Sequence, residues 1–163
     1  MDSITIRQAG AGDAERLNAA LLHLSKDIGD AHGATADMLR AAGFGDNPVF
    51  RALLAEQDGE VVGAALYSPV FSTVRAGAGV YVSDLWVSEA ARGKGLGRRL
   101  LQAVTGDAGA VWNARFLKLV VYDDNPQARA FYDRLGFSAS QGEIILTLDK
   151  TGLAALKDDR GTR

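Results

Sequence analysis

Residues 89–99 combine glycines with basic side chains and lie between a predicted strand and a predicted helix. Glycines let backbone amides approach an anion closely, and a helix N-terminus adds about half a positive charge to that of the basic residues. This combination predicts a site for a diphosphate group. A solvated helix start with a flexible glycine turn is the alternative interpretation. The residues expected to form the site are Arg92, Gly93, Lys94, Gly95, Leu96, Gly97 and Arg98.

The segment does not fit two familiar phosphate-binding patterns. A Walker A loop requires G-x-x-x-x-G-K-[ST], and no such run occurs because Gly95 follows Lys94. The third glycine of the dinucleotide pattern G-x-G-x-x-G would fall at Arg98, and the predicted strand order does not support that fold. The diphosphate site therefore belongs to another type.

Besides the glycine segment, Asp84 is a candidate functional residue. It is the only acid in residues 80–87, an otherwise apolar stretch that predicts a long strand ending just before the glycine segment. A carboxylate in that position can accept a proton, or it can be a structural group bonded to loop amides. Two histidines, His23 and His32, lie nine residues apart across a helix end; this spacing is no metal signature, so we assign them no role and expect no metal.

Composition narrows the function further. The chain has 163 residues, no cysteine and a net charge of -2. It therefore has no disulfide, thiolate nucleophile or iron–sulfur cluster, and no global field that would attract nucleic acid or an anionic membrane. The apolar runs fall far short of the ~20 residues that span a membrane. We expect a cytoplasmic protein with one domain over residues 1–150 and a loosely attached C-terminal tail over 151–163.

The elements that must position these residues follow the order β-α-α-β-β-β-α-β-α-β. The sequence predicts strands at 3–8, 49–56, 60–70, 80–87, 116–122 and 142–148 and helices that begin near 13, 35, 96 and 125. Asp58 and Gly59 predict a tight hairpin between the second and third strands. The continuous apolar run at 116–122 predicts a central strand covered on both faces. The order indicates an α+β sheet with helices on its faces.

Two signatures resemble those of the GNAT superfamily of N-acetyltransferases. Arg92-x-x-Gly95-x-Gly97 fits the family's [QR]-x-x-G-x-[GA] loop, and the second signature is found as Asn125-x-x-Ala128-x-x-Phe131-Tyr132-x-x-x-Gly136-Phe137. The resemblance covers nearly the whole chain. It implies a mixed, mostly antiparallel sheet that splays between strands four and five, with acetyl-CoA in the gap and no metal. Backbone groups near Leu85, Trp86 and Val87 would pair with the pantetheine arm.

A narrower resemblance points to the branch that acetylates diamines (spermidine and spermine) and thialysine. It is carried by residues 37–48 and by Tyr81-x-x-Asp84-Leu85-Trp86-Val87. Many members of that branch have a glutamate immediately before the strand-four aspartate, whereas this chain has Ser83. The identity of the general base is therefore open.

The resemblance implies direct attack of a primary amine on the thioester. An alkylamine with a pKa of about 10.4 is almost fully protonated at neutral pH, so Asp84 would take its proton directly or through water. Tyr132 would protonate the departing thiolate, unless it only packs under the sheet. The amide of Val87 could polarise the carbonyl. Asn125 either bonds the coenzyme or caps its helix.

Four aspartates are candidates for the region that receives the acceptor. Negative charge suited to a polycation would come from Asp27, Asp30, Asp123 and Asp124, or these are solvated loop acids. The leading hypothesis is an acetyl-CoA-dependent N-acetyltransferase of a small amine. Alternatives are acetylation of protein N-termini, amino acids or aminoglycosides, a non-catalytic acyl-CoA-binding module, and a nucleotide-binding protein. On the family's example we expect a homodimer.

Overall fold

The computed structural model describes residues 3–158, which form two compact units that divide between Tyr122 and Asp123. The first unit contains a five-stranded sheet in the order β1-β2-β3-β4-β5, and every neighbouring pair is antiparallel except the parallel pair β4–β5. Its strands are β1 (Thr5–Gln8), β2 (Arg51–Gln57), β3 (Glu60–Ser72), β4 (Gly77–Val87) and β5 (Leu117–Leu119), and its helices are α1 (Ala14–Ile28), α2 (Ala36–Phe44) and α3 (Leu96–Trp112). The predicted α+β class and mixed sheet are confirmed.

Local signals in the sequence account for several element boundaries. Asp58 (φ 53°) and Gly59 (φ 79°) turn the chain between β2 and β3 in the left-handed region that a tight hairpin requires. The hydroxyl of Thr35 accepts a hydrogen bond from the amide of Met38 and so begins α2. Gly29 ends α1 at φ 76°. These predictions are confirmed.

The core lies on both faces of the sheet. Alternate residues of the strands, including Ala52, Leu54 and Ala64, pack against α1 and α2 in one hydrophobic cluster. On the opposite face α3 approaches the sheet so closely that a Cβ at Gly63 would lie 3.1 Å from a methyl of Leu100. Both helix layers therefore rest directly on the strands that carry the candidate site.

A polar cluster ties α3 to β2 and β3. Arg51 binds the carboxylate of Asp107 with Nε at 2.6 Å and Nη2 at 2.9 Å, and the hydroxyl of fully buried Tyr67 donates to the same carboxylate. The guanidinium of Arg51 holds the pKa of Asp107 below its usual value. The ion pair fixes the helix that begins at the glycine segment.

The second unit contains α4 (Pro126–Arg134) and α5 (Lys150–Lys157). Tyr132 packs edge-to-face against Phe131 and Phe137, with ring centroids 5.0 and 5.3 Å apart. The predicted strand at 142–148 is wrong: these residues form no ladder, and the side chains of Ile144 and Leu146 are each 83% exposed. A strand needs hydrogen bonds from a neighbour, and no other strand is described in this unit.

The prediction of a central fifth strand is also wrong. Only residues 117–119 of the predicted 116–122 form β5, which is the last strand of the described sheet. Val120 and Tyr122 are about half exposed, at 48% and 50%. An apolar run cannot distinguish a covered strand from a strand that ends early. In the region predicted to be a tail, residues 150–157 are helical, whereas 159–163 lie outside the described residues.

Candidate active site

The glycine segment forms an open turn at the start of α3. Gly93 and Gly95 both have a φ of 77°, and a Cβ built at either position would meet no atom within 4 Å. Gly95 is the N-cap of α3, and no side chain of the described residues caps this helix end. The amides of its first turn have no intrahelical acceptors and so remain available to an anion. The turn fits a diphosphate in both space and polarity.

The basic residues of the segment divide into two groups. The side chains of Lys94 and Arg98 are exposed and form no hydrogen bond or ion pair within residues 3–158. Arg92, in contrast, donates from Nε to the carbonyl of Val87 at 3.1 Å and from Nη2 to Oδ2 of Asp27 at 2.8 Å. Arg99 donates to the carbonyl of Ile4 at 2.9 Å. Lys94 and Arg98 are thus free to turn toward a ligand, whereas Arg92 and Arg99 are held in place by the protein.

The sheet opens beside this turn. Pairing between β4 and β5 extends only from Val80–Leu117 to Val82–Leu119. Leu85, Trp86 and Val87 stay paired with β3 but have no partner strand on their other edge among the described residues. That edge carries backbone groups able to hydrogen-bond an extended ligand. The predicted splay between the fourth and fifth strands is confirmed.

A β-bulge positions Asp84 at this opening. Leu66 pairs with Asp84 and Tyr67 with Val82, so Ser83 is the extra residue of β4. The hydroxyl of Ser83 bonds Oδ2 of Asp84 at 2.9 Å and the carbonyl of Leu66 at 3.3 Å. Burial raises the pKa of Asp84, and the Ser83 bond partly offsets that rise. The residue that replaces the branch's usual glutamate therefore holds the carboxylate.

The Asp84 carboxyl lines a cavity of about 360 Å³. The cavity lies on the face of the sheet covered by α1 and α2, and it has both apolar walls and polar groups. Its lining residues are Leu21, Ser25, Asp30, Ala31, His32, Gly33, Ala34, Leu39, Phe50, Leu66 and Asp84. An apolar wall with a few convergent polar groups is typical of a small-molecule site.

Sequence reasoning missed His32, which is part of this wall. Its Nε2 lies 2.8 Å from Oδ1 of Asn18 and its Nδ1 lies 3.3 Å from Oγ of Ser25, so two side chains of α1 hold the ring. Charge on His32 lowers the pKa of Asp84, whereas charge on Asp30 raises it. No motif marks such an arrangement, because the partners lie 14 and 7 residues away from His32.

Asp27, in the last turn of α1, and Asp30, just after that helix, have different surroundings. Asp30 lines the cavity and accepts a hydrogen bond from the hydroxyl of Tyr122 at 2.7 Å. Asp27 bonds Arg92 and the indole nitrogen of Trp86 instead, the latter at 3.3 Å. Trp86 is 7% exposed and stacks on His23 with ring centroids 5.4 Å apart. Asp30 alone of this pair faces the cavity.

Tyr132 and Asn125 belong to the second unit. Oδ1 of Asn125 accepts from the amide of Ala128 at 3.1 Å, so the side chain caps α4. Burial raises the pKa of Tyr132 to about 12, which keeps its phenol protonated at neutral pH. Asp123 and Asp124 are both exposed. Any role of these residues toward a substrate stays a prediction.

Two absences were found among the described residues. Within 3–158 no group of three or more His, Cys, Asp or Glu side chains could hold a metal ion. In the same range, no helix is both long enough and apolar enough to cross a membrane.

A splayed mixed sheet, an uncapped glycine turn at the next helix and a carboxylate at the splay are the features expected of an acyltransferase that uses acetyl-CoA. Residues 19–137 match the Acetyltransferase (GNAT) family, which is well over half of the chain. The chain belongs to this family, whose members use acetyl-CoA, and it is an N-acetyltransferase. The family predicted from the sequence is confirmed.

Relatives of similar sequence agree with this assignment. The chain is 32% identical over 146 residues to a thialysine N-epsilon-acetyltransferase of Sus scrofa, covering 83% of this chain and 85% of the relative. It is 32% identical over 150 residues to the uncharacterized N-acetyltransferase YhfO of Bacillus subtilis (strain 168), covering 90% and 97%. The predicted resemblance to the thialysine branch is confirmed.

The fold is shared with solved structures at lower identity. An integron cassette protein of V. cholerae superposes with a TM-score of 0.77 at 24% identity, covering 95% of this chain and 98% of that one. An aminoglycoside N-acetyltransferase in complex with CoA superposes with a TM-score of 0.73 at 19% identity, covering 92% and 97%. At these identities the likeness concerns the fold.

Proposed function

We propose that this protein transfers the acetyl group of acetyl-CoA to the primary amine of a small diamine, polyamine or lysine analogue. The observation that carries the proposal is the partly buried carboxyl of Asp84, which lines a cavity of about 360 Å³ at the point where the sheet opens. A cavity of this size suits a small molecule. Names of relatives add support, since they include thialysine and spermidine/spermine acetyltransferases.

The diphosphate of the coenzyme would bind at the turn of residues 93–98. The open space at Gly93 and Gly95 lets the ligand approach the backbone, and the uncapped amides of α3 would donate to the phosphate oxygens. Lys94 and Arg98 would add charge. The unpaired edge at 85–87 would hydrogen-bond the pantetheine arm, and the bound coenzyme supplies the activated acyl carbonyl.

Asp84 would hold the acceptor ammonium and then take its proton. Freeing an alkylamine with a pKa of about 10.4 at neutral pH costs about 4–5 kcal/mol, so an adjacent base matters. The raised pKa of Asp84 makes its carboxylate a stronger base than an ordinary aspartate. Asp30 would attract a second cationic group of the acceptor, because its carboxylate also faces the cavity.

Tyr132 would complete the proton transfers. Burial raises the pKa of this phenol to about 12, so it carries its proton at neutral pH but is a weaker acid than an ordinary tyrosine, and its role as proton donor to the departing thiolate rests on the family's signature at Phe131-Tyr132. The amide of Val87 would polarise the acyl carbonyl. Within the first unit, Asp84 would act at the amine and Val87 at the carbonyl oxygen.

A panel of amines tests the proposal. Acetyl-CoA is mixed with diamines, polyamines, thialysine, lysine, aminoglycosides and a peptide N-terminus between pH 6 and 9, and free thiol is measured. We expect turnover with the small diamines or lysine analogues, with rates that rise with pH as the free amine increases. Asp84→Asn should lower kcat about 10²–10⁴-fold, the range for loss of a general base. Turnover of aminoglycosides or peptides alone would overturn the acceptor class.

We also propose that the enzyme acts as a homodimer. The second unit exposes several large aliphatic side chains, including Ile144, Ile145 and Leu146 at 83%, 71% and 83%. Large exposed apolar surfaces often mark an interface between protein chains, and the family resemblance also suggests a dimer. Sedimentation velocity at several concentrations should give the mass of two chains, and a species of 17.2 kDa throughout would contradict this proposal.

A further inference from the structure

Asp27 joins three parts of the first unit at one oxygen atom. Its Oδ2 accepts a hydrogen bond from Nη2 of Arg92 at 2.8 Å and another from Nε1 of Trp86 at 3.3 Å. Arg92 lies in the glycine segment of residues 89–99, Trp86 lies on β4, and Asp27 itself lies in the last turn of α1. No motif of the sequence marks Asp27 as part of the coenzyme site.

The bonds of Arg92 leave most of its guanidinium free. A guanidinium has five N–H donors, and two are used here, one to Asp27 and one to the carbonyl of Val87. The three others have no partner within residues 3–158, and the side chain is 52% exposed. A long side chain that is already anchored loses less rotamer freedom when a ligand binds it. Arg92 is therefore preorganised at the edge of the diphosphate turn.

We propose that Asp27 is a positioning residue for coenzyme binding, which it assists by holding the guanidinium of Arg92 against the end of β4. The inference rests on the proposed function, in which the turn of residues 93–98 holds the diphosphate. Asp27 acts through Arg92 and does not itself touch the coenzyme. The opposite interpretation is that Asp27 competes with phosphate for Arg92 and weakens binding by its negative charge.

Two substitutions at this position separate geometry from charge. In Asp27→Asn the amide oxygen can still accept both hydrogen bonds, because a single oxygen accepts them now, but the negative charge is gone. In Asp27→Ala both the charge and the anchor are lost. The matched control is Asp46→Ala, since Asp46 is exposed and forms no hydrogen bond or ion pair within residues 3–158.

The dissociation constant of free coenzyme A is measured by calorimetry for each variant, together with the melting temperature. If Asp27 is an anchor, Asp27→Ala weakens binding about three- to tenfold, which is the cost of ordering one long side chain. Asp27→Asn stays within about twofold of the natural chain, and Asp46→Ala does not change. Tighter binding by both Asp27 variants would show competition, and unchanged binding by Asp27→Ala would show no role; either result overturns the inference.

An Arg92→Ala background tests whether the effect passes through Arg92. Asp27→Ala should not weaken binding further in that background, because the group it positions is gone. A loss of the same size with and without Arg92 would place the effect in the fold around Trp86 and overturn the inference. If the natural chain itself binds no coenzyme A, the proposed function fails; if it binds and Asp27→Ala is normal, only the positioning role fails.

Discussion

A single methyl group on α2 should disturb the cavity that Asp84 lines. A Cβ at Gly43 would lie 2.2 Å from Cζ and 2.3 Å from Cε2 of Phe50, whose ring forms part of the cavity wall. Ordinary van der Waals contact begins near 3.4 Å, so the ring must move by more than an ångström. Phe50 is 7% exposed and also packs edge-to-face on Phe44 at 5.9 Å, which leaves it little room.

The change in the free energy of unfolding expected for Gly43→Ala is the sum of two opposing effects. Overpacking of a core costs about 1–3 kcal/mol, whereas alanine in place of a helical glycine gains about 0.5–1 kcal/mol. Gly43→Ala should therefore lower the free energy of unfolding by roughly 1–2 kcal/mol. Gly106→Ala is the control: it lies inside α3, its Cβ would meet nothing within 4 Å, and it should be stabilising.

Urea unfolding measures the stability of both variants, and steady-state kinetics measures KM for the amine and for acetyl-CoA. Gly43→Ala should change KM for the amine and leave the dissociation constant of coenzyme A within about twofold, because the phosphate turn lies on other elements. A Gly43→Ala protein as stable as the natural chain, with an unchanged amine KM, would refute the assigned packing of Phe50 against α2.

Three further predictions concern single residues. Arg7 holds the pKa of Asp13 at about 2, against an ordinary 3.8, through two bonds of 2.8 Å. A carboxyl whose pKa is lowered by folding stabilises the fold at pH values above its pKa in the unfolded chain. Asp13→Asn should therefore lower the free energy of unfolding by about 2 kcal/mol at pH 7 and by little near pH 2. Equal shifts of the urea midpoint at both pH values would contradict this. Ser83→Ala removes the bond that lowers the pKa of Asp84, so the acid limb of the rate profile should move to higher pH, and an unmoved limb would exclude Asp84 as the titrating group. Gly95→Ala places a side chain at φ 77°, and should cost about 1–2 kcal/mol in urea unfolding and weaken coenzyme A in calorimetry; unchanged binding would argue against phosphate at this turn.

Short-range patterns predicted much of the architecture. Thr35 caps its helix, and Asp58 with Gly59 turns the hairpin, both as the sequence predicts; Asn125 caps another helix, which is one of the two roles that the sequence left open. Each of these features depends on groups within four residues of one another, so the sequence alone contains the relevant physics. The glycine turn is local in the same way, because it depends on its position between a strand and a helix, and its use as an anion site stays a prediction.

Sequence patterns typical of strands were less informative, because they do not identify the neighbouring strand. The alternation at 142–148 is typical of a strand, and the apolar run at 116–122 is typical of a covered one, yet the first forms no ladder and the second pairs over only three residues. Sheet formation depends on the hydrogen bonds of a neighbouring strand. Neither composition nor periodicity identifies that neighbour.

The residues themselves determined the family, the mixed fold and Asp84 as the acid of the fourth strand, whereas the diphosphate turn stays a prediction from them. Only the tertiary structure decided what surrounds them: His32 held by Asn18 in the cavity wall, and Arg92 bound to Asp27 across 65 residues of sequence. Caps and turns arise from interactions between near neighbours, which a linear pattern records. A cavity and a positioned cation arise from groups that meet only after the sheet and helices have packed, and no local pattern specifies that meeting.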